Sequence, residues 1–425
     1  MSGFRVAATA LKPDAASPRT ECELFEPGNM RLLLLTSEFP PGPGGIGTHA
    51  QQLAHELLGL GWEVAVITSQ NYAAAADIEA FNQAQPFPVV RLSQLKGAPL
   101  KAAYRWWIAS RWIRRWQPDI MLASGDRDVL LCAQLAKRYR LPWVAVEHGR
   151  IPPRWERPLK LWAFQQATSV VSVSRYSWQR LLMLGVSPRS GRVITNGADA
   201  VRFKTINPHE VMEFKASTGL NQGRILLTVG NVSDRKGQDV VIRALPRIIE
   251  QVPAAHYFMA GLPSKEKQFT RLARQLGVAS HIHFLGQVDD ARLVGLLNCC
   301  DVFVMMSRHT ADEFEGFGIA VVEAALCGKP AVVSKDSGLA EAIDDGVTGI
   351  SVPEGDERAT AEAIISLFQD DGLRRRMGAA AQRRALAQQT WVQCAQQYDA
   401  LFRHLLETET HSSALGAQAS LPADG

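Results

Sequence analysis

Short apolar runs alternate with longer amphipathic stretches along this chain, and they do so in two series. The first series is "RLLLLT", "EVAVIT", "PVVRL", "DIMLAS", "WVAVE" and "SVVSVS". After about residue 222 the alternation resumes with "RILLTVG", "HYFMAG", "HIHFLG", "DVFVMM" and "PAVVS". Strands separated by helix-length segments cannot pair as tight hairpins, so the order predicts an α/β fold with parallel sheets. Between the series lies "NGADAVRFKTINPHE", polar and turn-prone, which reads as an interdomain connection. A chain of 425 residues has room for two domains, each with its own core. The expectation is two Rossmann-like domains, over residues 30–205 and 206–390, facing a cleft beyond the carboxyl ends of their strands.

Composition narrows the class. The chain is 46% hydrophobic and 21% charged, as expected of a soluble globular protein. No apolar run approaches the ~20 residues of a membrane span. Residues 1–29 lack the apolar stretch of a signal peptide and read as a poorly ordered extension. The small, polar residues 408–425 read as a disordered tail. The six cysteines form no C-x-x-C pair and no zinc spacing, which predicts reduced thiols, no metal site and a cytoplasmic location. Charge is uneven. Through Lys204 there are 25 Lys and Arg against 15 Asp and Glu, and beyond it 21 against 27. A basic front half and an acidic back half predict different partners for the two.

"SEFPPGPGGIGTHAQQLAHEL" carries Gly42, Gly44 and Gly47 in G-x-G-x-x-G spacing after a strand and before a helix. That is the context of a dinucleotide fingerprint. A dinucleotide site also needs an acid at the end of the second strand for the ribose hydroxyls. Here "EVAVIT" ends in Ser69 and Gln70, and its acid, Glu63, stands at the wrong end. The turn is also long. NAD and FAD are therefore disfavoured, and the glycines remain either an anion-facing loop or a flexible turn.

"EFEGFGIAVVEAALCGKP" places Glu315 and Glu323 eight residues apart. With a helix starting near Gly318, Glu315 lies in the loop before it and Glu323 inside it, and both can face one site. Gly316 and Gly318 permit close backbone approach to a ligand. Arg235 and Lys236 follow the strand "RILLTV" at another strand-to-helix turn, where two cations suit a diphosphate. Taken singly, the glutamates also fit a solvated helix face and a loop, and the Arg-Lys pair a solvated surface.

In order, "GPGGIG", "VEHGR", "TNGADAVRF", "GNVSDRKG", "EGFGIAVVE" and "DGVTGISVPEGD" resemble the family-4 retaining glycosyltransferases of GT-B fold, over roughly residues 30–405. The resemblance implies a helix over 391–407 that crosses back to the first domain. It implies a nucleotide-diphosphate sugar donor (UDP- or GDP-linked), with no cofactor or metal required. Lys236 and Arg235 would neutralise the diphosphate. Glu315 would hold donor-sugar hydroxyls and Glu323 the nucleotide ribose. Backbone at Gly316, Phe317, Gly318 and Ile319 would touch sugar and phosphates, and residues 284–288 would frame the base. Gly45 would approach the diphosphate from the facing domain, and His148 would lie over the reacting sugar. One departure stands out: Gly230 is followed by Asn231, where the family usually has arginine. That keeps a catalytically silent, sugar-nucleotide-binding homologue as the alternative. A sugar-nucleotide epimerase or a phosphorylase fits the motifs less well.

"KAAYRWWIASRWIRRW" (101–116) holds four of the ten tryptophans. At helical spacing Trp106, Ile108, Ala109, Trp112, Ile113 and Trp116 share one face, and Trp107, Arg111, Arg114 and Arg115 the other. The basic face is either solvated or meets an anionic membrane or a glycan or lipid-linked acceptor at the cytoplasmic face of the membrane. Arg150 and Arg154, beside His148, stand near the expected acceptor entrance. Nothing points to nucleic acid.

Overall fold

The computed structural model describes residues 29–419, apart from Pro43, 70–72, 93–97, Ile151, Pro153, Gly219, 221–222 and 311–312. The extension expected before Met30 lies, Asn29 aside, outside the described residues. In chain order the first half contains β1 (Met30–Thr36), α1 (Gly45–Gly59), β2 (Trp62–Thr68), α2 (Ala75–Gln83), β3 (Val89–Arg91), α3 (Ala98–Trp116) and β4 (Ile120–Ser124). There follow α4 (Asp126–Tyr139), β5 (Trp143–Glu147), α5 (Arg157–Gln166), β6 (Ser169–Ser172), α6 (Arg175–Met183) and β7 (Gly191–Val193). The second half contains α7 (Pro208–Thr218), β8 (Arg224–Val229), α8 (Gln238–Gln251), β9 (Ala255–Ala260), α9 (Glu266–Gln275), β10 (Ile282–Gly286), α10 (Asp290–Cys299) and β11 (Val302–Met305). It closes with α11 (Ile319–Leu326), β12 (Ala331–Ser334), α12 (Leu339–Ala342), β13 (Gly349–Val352), α13 (Glu357–Gln369), α14 (Asp371–Gln388) and α15 (Trp391–Ala419).

The strands form two parallel sheets, ordered β3-β2-β1-β4-β5-β6-β7 and β10-β9-β8-β11-β12-β13. Leu32–Leu35, Val64–Ile67, Ile120–Ala123 and Val144–Val146 are buried. Helices cover both faces, which is why these strands read as continuous apolar runs rather than alternating ones. In each sheet the order in which strands are added reverses once, between β1 and β4 and between β8 and β11. Such switch points open a crevice beyond the strand ends, and the loops after β1 and β8 lie there.

One apolar cluster runs through both domains. It includes Phe39 and Leu53 of the first, Ala198 and Phe203 of the connection, Phe317 and Val321 of the second, and Tyr398 and Phe402 of α15. α15 packs on α1, so the C-terminal helix does return to the first domain, and it continues past residue 407. Trp62 Nε1 donates to Asp399 Oδ1 at 2.7 Å, and the Trp62 and Phe402 rings meet edge to face. The connection runs beside this return. Ala198 N donates to Gln389 O, and a side chain on Gly197 would come within 2.3 Å of the Thr390 backbone. The glycine of "TNGAD" is thus needed where two chain crossings touch.

The domains meet along a seam beside the cleft. Glu341 of α12 accepts from the first amides of α6, Arg175 N at 2.8 Å and Tyr176 N at 2.7 Å. A carboxylate at a helix N-terminus satisfies amides that have no partner within the helix. Phe314 N donates to Gly149 O, and Arg150 bridges to Glu313 as a single antiparallel pair.

Candidate active site

A cavity of about 520 Å³ opens between the two sets of strand ends. Gly44, Gly45, His148 and Arg150 line it from the first domain; Asn231, Arg235, Lys236, Glu315 and Glu323 line it from the second. Gly316, Phe317, Gly318 and Ile319 are also on the wall. Apart from residues 284–288, the donor-side residues read from the sequence therefore reach one space.

α1 begins at Gly45 immediately after Gly44, whose φ of +153° is a backbone state that favours glycine. A Cβ on Gly44 would fall 2.0 Å from Glu38 Oε2, whereas one on Gly45 would meet nothing within 4 Å. Gly44 is thus required by the turn, and Gly45 leaves the cavity wall open.

On the facing wall a one-turn 3-10 segment, Asp234–Lys236, precedes α8. Lys236 Nζ lies 2.7 Å and Arg235 Nη1 2.5 Å from the same oxygen of Glu315, Oε2, with Ser307 Oγ at 3.4 Å. Arg235 also faces Glu313 at 3.3 Å. Burial alone raises the Glu315 carboxyl, but the Lys236 and Arg235 charges and hydrogen bonds together outweigh it and hold the group down at about 2. Burial also pulls the Lys236 ammonium below its ordinary value, with Glu315 opposing.

Glu323 stands one turn inside α11, on the same cavity, and its environment is the reverse. Burial pushes its carboxyl up to about 7, with Arg202 opposing and Asp290 and Asp199 adding to the rise. Gly318, the residue before α11, has φ +91°. Gly316 is on the cavity wall and also packs tightly against the first domain. The group that its missing side chain admits is the His148 carbonyl, 2.3 Å from an added Cβ, so its tight packing serves the domain seam.

Residues 284–288 are not on the cavity wall; Gly286 N–H and C=O lie at the end of an edge strand, where Gly286 O accepts from Gly261 N. Arg154 is exposed and outside the cavity, because the chain turns away after Pro152 into α5. α3 is a helix with the faces expected. Ala109, Ile113 and Trp116 are buried, while Arg111, Arg114 and Arg115 are exposed and Trp107 is 48% exposed. It lies on the outer face of the first sheet, away from the cavity. Asn196 belongs to the wall, and its buried Oδ1 has no hydrogen-bond partner among the described residues. Glu38 and Glu313 also line the wall without having been singled out in the sequence, since single acids carry no spacing signal.

Two doubly wound domains facing a charged cleft define the GT-B class of sugar-transferring enzymes. The comparisons carry this to a family. Residues 43–202 match the model of "Glycosyltransferase Family 4", and residues 211–384 that of "Glycosyl transferases group 1". The chain is 27% identical to a glycogen synthase of Mycobacterium tuberculosis, covering 85% of this chain and 92% of that one. It is also 27% identical to a GDP-mannose-dependent alpha-(1-6)-phosphatidylinositol monomannoside mannosyltransferase of Mycolicibacterium smegmatis, covering 85% and 95%. Among solved structures, Anabaena Alr3699/HepE in complex with UDP and glucose superposes with a TM-score of 0.75 at 22% identity, covering 88% of this chain and all of that one. The chain belongs to the family-4 glycosyltransferases and is a nucleotide-sugar-dependent glycosyltransferase. No helix among the described residues is long and apolar enough to cross a membrane.

Proposed function

We propose that this enzyme is a retaining hexosyltransferase that moves a sugar from a UDP- or GDP-sugar to a glycan or lipid-linked acceptor. The observation that carries the reading is the Lys236–Arg235–Glu315 cluster opposite His148 and Gly45 across one cavity. Breaking the glycosidic bond puts negative charge on the leaving diphosphate. Lys236 and Arg235, fixed in advance by Glu315, stabilise that charge without reorganising. Both cations meet Glu315 Oε2, which leaves Oε1 to a sugar hydroxyl. Glu323 holds the ribose, and the backbone of Gly316–Ile319 and Gly45 closes on the phosphates. The acceptor hydroxyl attacks from the leaving-group side. Its oxygen forms the new bond to the anomeric carbon, the bond to the phosphate oxygen breaks, and the acceptor proton passes to that phosphate oxygen. His148 lies over the developing positive centre.

Asn231 lines the cavity where the family arginine is expected, and Arg235 beside it carries the second positive charge. The acceptor enters from the basic first domain past Arg150. The exposed Trp107, stacked near Tyr104 and covered by Arg111 at 5.8 Å, joins Arg114 and Arg115 as a face for an anionic membrane surface. Incubation with a panel of nucleotide sugars, followed by detection of free nucleotide diphosphate and NMR of the product anomer, tests the reading. Transfer with the donor anomer retained is expected; an inverted anomer overturns retention. Sedimentation with anionic but not neutral vesicles is expected, and equal binding to both removes the electrostatic part.

A further inference from the structure

The first turn of α6 is gripped by the second domain through its backbone and through one side chain. Glu341 of α12 takes the amides of Arg175 and Tyr176, and the next amide, Ser177 N, is satisfied within the first domain by Ser174 Oγ. The Tyr176 side chain reaches further, and its Oη is hydrogen-bonded to Nε2 of His309, on the chain after β11. His309 is fixed in turn by Glu354, beyond β13, which accepts from its Nδ1 at 2.5 Å and from its backbone N–H at 3.0 Å. A carboxylate only accepts, so the ring gives its Nδ1 proton to Glu354, and a neutral ring then receives the Tyr176 O–H at Nε2.

Phe314 packs beside this bond. Its side chain is buried, with the Tyr176 ring edge-on at 5.4 Å, the His309 ring stacked at 6.3 Å and the Arg180 guanidinium 5.9 Å from its centre. Such ring contacts have preferred geometries, so they fix orientation as well as burying area. Phe314 N also donates to Gly149 O at 3.1 Å. Tyr176, Arg180 and Gly149 all belong to the first domain. The residue joined to Phe314 by the next peptide bond is Glu315, whose Oε2 meets both Lys236 and Arg235. A displacement of Phe314 therefore passes directly to the carboxylate that anchors the two cations.

We propose that Tyr176, His309 and Glu354 form a lock between the domains and are positioning residues for the transfer, holding Phe314, and through it Glu315, where that carboxylate fixes Lys236 and Arg235. The consequence for transfer rests on the proposed role of the Lys236–Arg235–Glu315 cluster; the lock does not. The first domain thereby organises a donor site built from second-domain side chains, and that site is complete only while α6 is docked.

Amide hydrogen exchange of the full-length protein, read by mass spectrometry on peptides that contain Phe314, tests the lock. Tyr176→Phe keeps the ring against Phe314 and deletes only the hydroxyl; His309→Ala removes both bonds and a ring. Exchange at Phe314 is expected to be at least about tenfold faster in His309→Ala and about threefold faster in Tyr176→Phe, with peptides of β1 and β8 unchanged. Turnover, read as nucleotide diphosphate release, should fall about tenfold and about threefold. Donor KM should stay within about twofold, because the cations act on charge that develops only as the bond breaks. Glu354→Ala frees the His309 ring and should fall between the two. The double variant Tyr176→Phe/His309→Ala should match His309→Ala, since both changes remove the same bond, and a multiplied loss overturns that shared bond. Unchanged exchange in both single variants, or faster exchange throughout the chain, overturns the lock. Faster exchange at Phe314 with unchanged turnover overturns the positioning role. Undiminished turnover in Lys236→Ala removes the proposed role of the cluster and leaves the exchange result standing by itself.

Discussion

The loop before α11 and the second turn of α11 present the same functional group to the same cavity, and the two glutamates behave in opposite ways. Glu315 is held at about 2, while Glu323 is pushed up to about 7. Both pay the same kind of desolvation cost. The difference is partners: Glu315 has an ammonium at 2.7 Å and a guanidinium at 2.5 Å, and Glu323 has only the field of Arg202 against those of Asp290 and Asp199. A carboxyl at a cavity wall is therefore a fixed charge or a titrating group according to the cations that other segments bring to it. Glu315 serves as the anchor of two cations. Glu323 lacks such a cation, and its carboxyl is left raised to about 7.

Four variants break or sharpen this contrast. Lys236→Ala should have the largest effect. It removes the proposed leaving-group cation and one of the two cations that hold Glu315, and transfer should fall by at least about 100-fold, read as nucleotide diphosphate release. Unchanged turnover would refute the assignment. Glu315→Gln tests the anchored member. Its ionised form stabilises the wild type above the ordinary carboxyl value of 4.5, and that contribution is lost as pH falls towards about 2. The shift corresponds to about 3 kcal/mol, so acid unfolding of Glu315→Gln should be flatter across this window in denaturant titrations.

Glu323→Gln tests the other member, with the opposite sign. Below 4.5 the carboxyl is protonated in both states, and between 4.5 and about 7 only the folded protein keeps the proton. Wild-type stability should therefore fall as pH rises through that window and level off above it. The variant should lack this fall, by about 2 kcal/mol once water in the open cavity is allowed for. Coincident pH profiles for the two proteins would dissolve the contrast. The smallest effect is expected on the facing wall. Gly45→Ala enters open space with compatible backbone, so its Tm should be unchanged or slightly raised. Its methyl group occupies the wall, and donor affinity should drop about tenfold by calorimetry. If affinity is kept, the first domain's glycine loop does not approach the donor.

Much of this was legible in the sequence, for identifiable reasons. Most strand runs from "RLLLLT" to "PAVVS" are buried on both faces and stand out without alternation, the half-buried edge strands β3 and β10 excepted, and each was found in a parallel sheet. The two faces of α3 followed from helical spacing alone. Glu315, Glu323, Arg235 and Lys236 were found because they sit at strand-to-helix turns, where local pattern and ligand geometry coincide. Gly316 was read as making room for a ligand; that its missing side chain also admits the His148 carbonyl of the other domain had no local signal. The Tyr176–His309–Glu354 lock gave none either. Tyr176 and His309 are separated by 133 positions, and a tyrosine in the first turn of a helix looks like any other.

The sequence by itself determined most of the strands, because a long apolar run shows within a few residues, while the short β7 and β13 gave no such run. It also singled out Arg235, Lys236, Glu315 and Glu323 beside the cleft, though not Glu38 and Glu313. The tertiary structure decided their charge. Coulombic attraction and the loss of water depend on which groups arrive within a few ångströms, and in this fold those groups come from the turn after β8, the interdomain connection and the start of α10.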